Sequence, residues 1–289
     1  MTPAGSTTCG GSTPDGSSTT RAGTGEAAVR PTPTSAWTYF STAARYALLE
    51  HSRNRLALVL VLFYLPLWIS LGHVVITSAE VRFLLRATDE TITAPGNNLS
   101  NISGALNAVT LIVGFMMFSV TFTAGRFDHR LAMAGYPRPQ LIAGKLVALL
   151  LAAVLTSAYA TAVVCLYWHP RQPWLLGLAL VTGALTYGGF GVMLGATLRG
   201  ELAGMLLIIM TSIIDTGLQS PIANPVADND FIRYLPSYGA MQAAVTAGFR
   251  DSFPFPYLLL GPLWFLGAVV VAGIAFHRHT RDRRPAFFG

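Results

Sequence analysis

The chain has 289 residues, of which 52% are hydrophobic and only 11% charged, with a net charge of +6 and a mean hydropathy of +0.51. A water-soluble globular domain carries about 25% charged residues, so a solvated surface of this size is excluded and lipid is the expected solvent for much of the chain. The basic excess does not argue for nucleic acid, because the nineteen Lys and Arg residues flank apolar segments instead of forming one patch.

Residues 1–35 are rich in Gly, Ser, Thr and Pro. They contain no apolar run of the about 7–15 residues that a signal peptide requires, and they read as a disordered cytoplasmic tail. Cys9 lies in this tail and Cys165 inside an apolar run, on opposite sides of any membrane topology. They form neither a disulfide framework nor a metal site.

Residues 36–55 form a separate element. Trp37, Phe40, Ala44, Ala47 and Leu48 recur at helical spacing, with Ser41, Arg45, Glu50 and Arg53 on other faces. The segment is too short and too charged to span, and the pattern predicts an amphipathic helix in the cytoplasmic interface. A plain extension of the first span is the other reading.

A membrane helix needs about 20 mostly apolar residues. Six windows meet that condition: Leu56–Thr77, Ala105–Ala124, Gly144–Trp168, Trp174–Leu198, Leu202–Ala223 and Tyr257–His277. They define a transmembrane domain over 56–280, followed by a C-terminal tail at 281–289. With the N-terminus inside, the cytoplasmic segments hold all the Lys and Arg residues except Arg82, Arg86, Arg171, Arg233 and Arg250. The positive-inside rule therefore predicts an N-in, C-in protein. The fold class is all-α integral membrane.

Two outer loops are long. Ser78–Gly104 is polar and carries the sequons Asn98-Leu-Ser and Asn101-Ile-Ser. Asn224–Pro256 mixes Phe231-Ile-Arg-Tyr-Leu-Pro-Ser-Tyr with the mostly apolar stretch 239–249. That mixture predicts short helices lying on the outer interface or dipping into it, where protein or water must satisfy the backbone.

Catalytic signatures are missing. The nearest approach to a phosphate-binding loop, Gly135 to Gly144-Lys145-Leu146, has the wrong spacing, and Leu146 cannot ligate magnesium. No zinc-protease motif or nucleophile elbow is present, and His277 and His279 read as interfacial anchors. One carboxylate lies well inside a span. Asp215 stands about 13 residues into the fifth window, where an unpaired charge costs ~2.5–3.5 kcal/mol. It reads either as a pathway residue, with Gln219, or as a structural hydrogen bond to a neighbour such as His73 or Gln219. Gly191-x-x-x-Gly195 and Gly200-x-x-x-Gly204 are close-packing motifs, taken first as contacts within the chain.

The cytoplasmic segment 125–145 carries Phe127, Leu131 and Met133 among charges, then Gly135, Pro137 and Pro139. It reads either as a stiff amphipathic knuckle that docks into a partner or as an ordinary basic loop. Taken in order, the Ser-Arg-Asn-Arg corner at 52–55, Pro66 in the first span, the basic segment Arg130–Lys145, the Leu194-Gly-Ala-Thr-Leu-Arg199 junction and Arg233-Tyr-Leu-Pro-Ser-Tyr resemble the ABC-2 type permease family. These are the membrane subunits of bacterial drug, antibiotic and polysaccharide exporters.

The resemblance covers roughly residues 37–280. It implies that Trp37–Arg55 is an elbow helix and that 126–138 is a coupling helix, with Phe127, Asp128, Arg130, Leu131, Tyr136 and Arg138 facing a separate ABC ATPase. Re-entrant outer helices within 224–256 would place Tyr234, Pro236 and Tyr238 at the outer gate. A second permease copy or a paralogue is the implied partner in the bacterial plasma membrane. This chain would bind no cofactor and catalyse nothing itself, with ATP and Mg held by the ATPase. The substrate class implied is an amphipathic small molecule, antibiotic or lipid-like compound. The alternatives are a membrane-embedded enzyme using Asp215 and His73, and an accessory immunity or sensor subunit without transport activity.

Overall fold

The computed structural model describes residues 55–133, 138–198, 200–224, 227 and 229–281, together with 41, 42 and 45. The predicted tail at 1–35, most of the amphipathic segment 36–55, Tyr136 and the C-terminal residues 282–289 lie outside the described residues.

Among the described residues five helices are long and apolar enough to cross a membrane, which gives the chain the make-up of a membrane protein. In chain order the elements begin with α1 (Arg55–Val59), a π turn (Leu60–Tyr64) and α2 (Leu65–Val75). Two short strands follow, β1 (Glu80–Leu85) and β2 (Glu90–Pro95), and then the long helices α3 (Gly96–Met133), α4 (Arg138–Tyr167), α5 (Pro173–Thr197) and α6 (Glu201–Gln219). A 3-10 turn (Asp230–Tyr234), the short helix α7 (Tyr238–Phe249) and α8 (Phe255–Arg281) complete the described chain.

The first predicted span differs from the other five. Its helix continues from Arg55 to Val75 with a π turn at Leu60–Tyr64, and among the described residues Leu60–Val75 counts as a shorter apolar helix. Pro66 supplies the cause: it has no N–H to donate, and its ring crowds the carbonyl of the preceding turn, a common origin of an added residue in a helix.

The outer loop at 78–104 departs from the sequence reading. Where a long polar loop was expected, there is an antiparallel hairpin in which Val81 faces Ala94 and Phe83 faces Ile92, followed by the first turns of α3. Phe83, Leu85, Ile92 and Ala94 are buried on one face. The turn places Asp89 at φ 52°, a left-handed conformation that a short polar side chain tolerates. Helix α3 thus begins at Gly96, nine residues before the apolar window, and Asn101 of the second sequon is fully buried.

Helices α3 and α5 form the centre, with 78% and 67% of their apolar windows buried by protein, against 28% for α6 and 22% for α8. Glycines let this pair approach closely. A Cβ on Gly191 would overlap the Gly114 carbonyl, and one on Gly195 would meet the Phe118 carbonyl at 3.0 Å. The first glycine motif therefore packs within the chain, against α3. Gly204 of the second packs on the Phe118 ring, whereas Gly200 meets little. Helix α7 is buried on almost every side, among α3, α5 and α8.

Candidate functional site

Helix α6 is amphipathic with its polarity turned inwards. Leu202, Leu206, Met210, Ile213, Ile214 and Leu218 are exposed, while Ser212, Asp215, Thr216 and Gln219 are buried. In water such a helix would turn the other way. The arrangement suits lipid, where apolar side chains face outwards and polar ones seek partners inside the bundle.

Asp215, only 1% exposed, is held by three elements. Tyr187 of α5 donates its hydroxyl to Oδ2 at 2.7 Å, and the backbone N–H of Ser237 donates to the same oxygen at 3.1 Å. Gln219, one turn further along α6, donates Nε2 to Oδ1 at 2.5 Å and to the Ser237 hydroxyl at 2.9 Å. Ser237 is the N-cap of α7, so the carboxylate lies at the end of that helix where partial positive charge collects. Hydrogen bonds of this kind offset the cost of burying a carboxylate.

One turn back along α6, Ser212 joins a second cluster. Asn107 donates Nδ2 to Ser212 Oγ at 3.1 Å, the Thr110 and Ser212 hydroxyls lie 2.9 Å apart, and Thr110 also donates to the Asn107 carbonyl. Asn107 Oδ1, Thr216 Oγ1 and Gln219 Oε1 are buried and have no partner within the protein. Each such atom costs about 1–3 kcal/mol when nothing satisfies it.

Above this stripe, on the hairpin side, is a cavity of about 30 Å³ lined by Phe83, Leu99, Gln219, Tyr238, Met241 and Gln242 among others. The hairpin roofs it and is tied down at several points. Ala87 N–H donates to Gln242 Oε1, Tyr257 donates its hydroxyl to the Arg86 carbonyl, and ion pairs join Arg86 to Asp230 and Arg250 to Glu90.

Of the residues singled out in the sequence, Asp215 and Gln219 are brought together. His73 is not near them in bonding: its Nδ1 lies 3.0 Å from Asn101 Nδ2, and its ring packs against Tyr167. Tyr234 is 76% exposed, whereas Tyr238 is buried and lines the cavity. Pro236 directly precedes Ser237, so the segment predicted as an outer gate is the one that grips Asp215. Tyr187 and Ser237 were not legible as partners. A large aromatic hydroxyl among the small residues of α5 was the available signal, since a buried tyrosine hydroxyl needs an acceptor.

The residues predicted to couple to an ATPase lie at the other end of α3. The backbone there is helical without a break from Gly96 to Met133, so Phe127, Asp128, Arg130 and Leu131 continue the second span and do not form a separate short helix. Phe127 is 20 residues beyond Asn107, or about 30 Å along the axis. Arg138 is the first residue of α4. The side chains of 124–142 lie outside the described residues.

Compared with known proteins, the chain matches no family model and no curated sequence. The likeness to ABC-2 permeases therefore rests on the motifs in the sequence alone.

Proposed function

We propose that this chain is the membrane-spanning permease subunit of an ATP-driven exporter, working with a separate ATPase and a second permease. In this reading six helical segments cross the bacterial plasma membrane with both termini inside, the α1–α2 segment being the first. The elbow helix lies on the cytoplasmic surface. ATP and Mg stay on the partner, and the substrate is an amphipathic small molecule, antibiotic or lipid-like compound.

The observation that carries the reading is the inverted polarity of α6, whose buried face presents Ser212, Asp215, Thr216 and Gln219 to α3, α5 and α7. Polar groups in a span usually face a bundle interior or a pathway. The burial of α7 beside them, with its N-terminus on Asp215, supports a re-entrant helix at an outer gate. The basic residues at the end of α3 and the start of α4, Arg126, Arg130 and Arg138, support a docking point for the ATPase at the other end.

Alanine at Phe127, Asp128 or Arg130 tests the assignment, with ATP hydrolysis and substrate efflux measured in the same membranes. The expected result is hydrolysis that persists while efflux is lost. Normal efflux in all three variants would remove the coupling role.

A further inference from the structure

Three buried polar atoms without protein partners belong to α3 and α6, which meet where Asn107 bonds Ser212. Asn107 Oδ1 and Gln219 Oε1 can only accept hydrogen bonds, and Thr216 Oγ1 can both donate and accept. Helical spacing puts Ser212, Asp215, Thr216 and Gln219 within an arc of roughly 100° over two turns. The threonine is the informative member. Thr110, Thr161, Thr182, Thr186, Thr197 and Thr246 each donate to a carbonyl three or four residues back, which is the ordinary way for a helical threonine to satisfy itself. Thr216 of the seam makes no such bond, and neither does Thr121 further along α3.

The upper end of this stripe meets the lining of a cavity. Gln219 is shared between the Asp215 carboxylate and the lining of the cavity beneath the hairpin. That cavity has room for about two waters. Its polar lining groups include Gln219, Gln242 and Ser103. A water needs two to four polar partners to be held in a buried site, and the seam offers open acceptors at successive turns.

We propose that the α3–α6 seam is a hydrated polar file, entered from the cavity under the hairpin past Gln219, that holds small hydrogen-bond donors, water first among them, beside Asp215. Asn107 Oδ1 and Gln219 Oε1 accept from these donors at the two ends, and Thr216 is satisfied between them. The file puts the carboxylate of Asp215 in contact with the solution on the hairpin side even though its side chain is buried. Nothing in this needs an ATPase partner, so its failure and that of the exporter reading are separable.

Radiolytic hydroxyl-radical labelling of the full chain in lipid nanodiscs tests it, because radicals formed from bound water mark the side chains beside that water. In the unaltered protein Met241, which lines the cavity at 4% exposure, is compared with Met117, which is 1% exposed in the core. Thr216→Cys is compared with Ile213→Cys on the outward face of α6, with Cys165 as a shared reference. The Thr216 hydroxyl makes no bond, so its replacement leaves the seam otherwise intact. Labelling several-fold higher at Met241 than at Met117, and at Thr216→Cys than at Ile213→Cys, is expected. Equality in either comparison overturns the proposal, and equal labelling of the two methionines, which removes the entrance, overturns it even if the cysteine variants do not fold.

Discussion

Gln219 and Asp215 stand one turn apart on α6, and the amide of the first closes on the carboxylate of the second while also reaching Ser237 at the start of α7. A single side chain therefore ties a membrane-length helix, its buried carboxylate and the short buried helix together. The position of α7 against α6 is fixed in part by this junction.

Asp215→Asn puts an amide N–H₂ where the carboxylate had only acceptors, facing either Gln219 or the Tyr187 and Ser237 donors. Tyr187→Phe removes one of those donors. Each change is expected to cost about 1–3 kcal/mol in unfolding from mixed micelles. Because both act on one network, the double variant should fall short of the sum by about 0.5–3 kcal/mol. Additive costs would mean that the two side chains do not share a bond.

The glycines of the α3–α5 contact predict a contrast. Gly191→Ala forces its Cβ into the Gly114 carbonyl, a backbone atom that cannot swing aside, and should cost about 1–3 kcal/mol. Gly217→Ala on α6 meets nothing within 4 Å and should raise stability by about 0.5–1 kcal/mol. Thermal unfolding in detergent distinguishes them, and equal effects would place α5 further from α3 than described.

The hairpin is held by its apolar face more than by its ion pairs. Leu85 is 1% exposed, and Leu85→Ala should cost about 2–5 kcal/mol. Arg250→Ala breaks the 2.7 Å pair with Glu90, whose members are both partly exposed, and should cost no more than about 1 kcal/mol. Only the second loss should shrink as salt is raised, read from unfolding at low and high ionic strength.

The two faces of α6 also differ in what they admit. Ile214→Arg sets a charge on an outward face and should lower insertion by ~2.5–3.5 kcal/mol, read as the fraction of chain recovered in the membrane after synthesis. Unchanged recovery would mean that this face does not meet lipid.

Five long helices were legible in the sequence because hydropathy over about 20 residues is a strong signal. The hairpin was also present, as Val81, Phe83 and Leu85 alternating on one strand and Ile92 and Ala94 on the other. Its charged and polar neighbours, and its place in a loop between spans, hid it. The π turn inside the first predicted span was not legible because hydropathy does not register a change of hydrogen-bond ladder. Asp215 was conspicuous as a lone carboxylate in a span, but its partners Tyr187 and Ser237 come from 28 residues before and 22 after it. No local pattern joins positions so far apart; only the packing of α5 and α7 against α6 does. Gln219, at the helical spacing of one turn, was the partner a sequence could suggest.

In the function we propose, this chain is driven by ATP hydrolysis on another subunit. The most direct measurement is purification of the full chain from its native membranes in mild detergent, followed by ATPase assay with the chain present and removed. The account predicts co-purification of a P-loop ATPase of the ABC type, with turnover stimulated by this chain and reduced by Arg130→Ala. A folded, monodisperse chain that carries no ATPase, or an ATPase whose turnover is indifferent to it, would contradict the account.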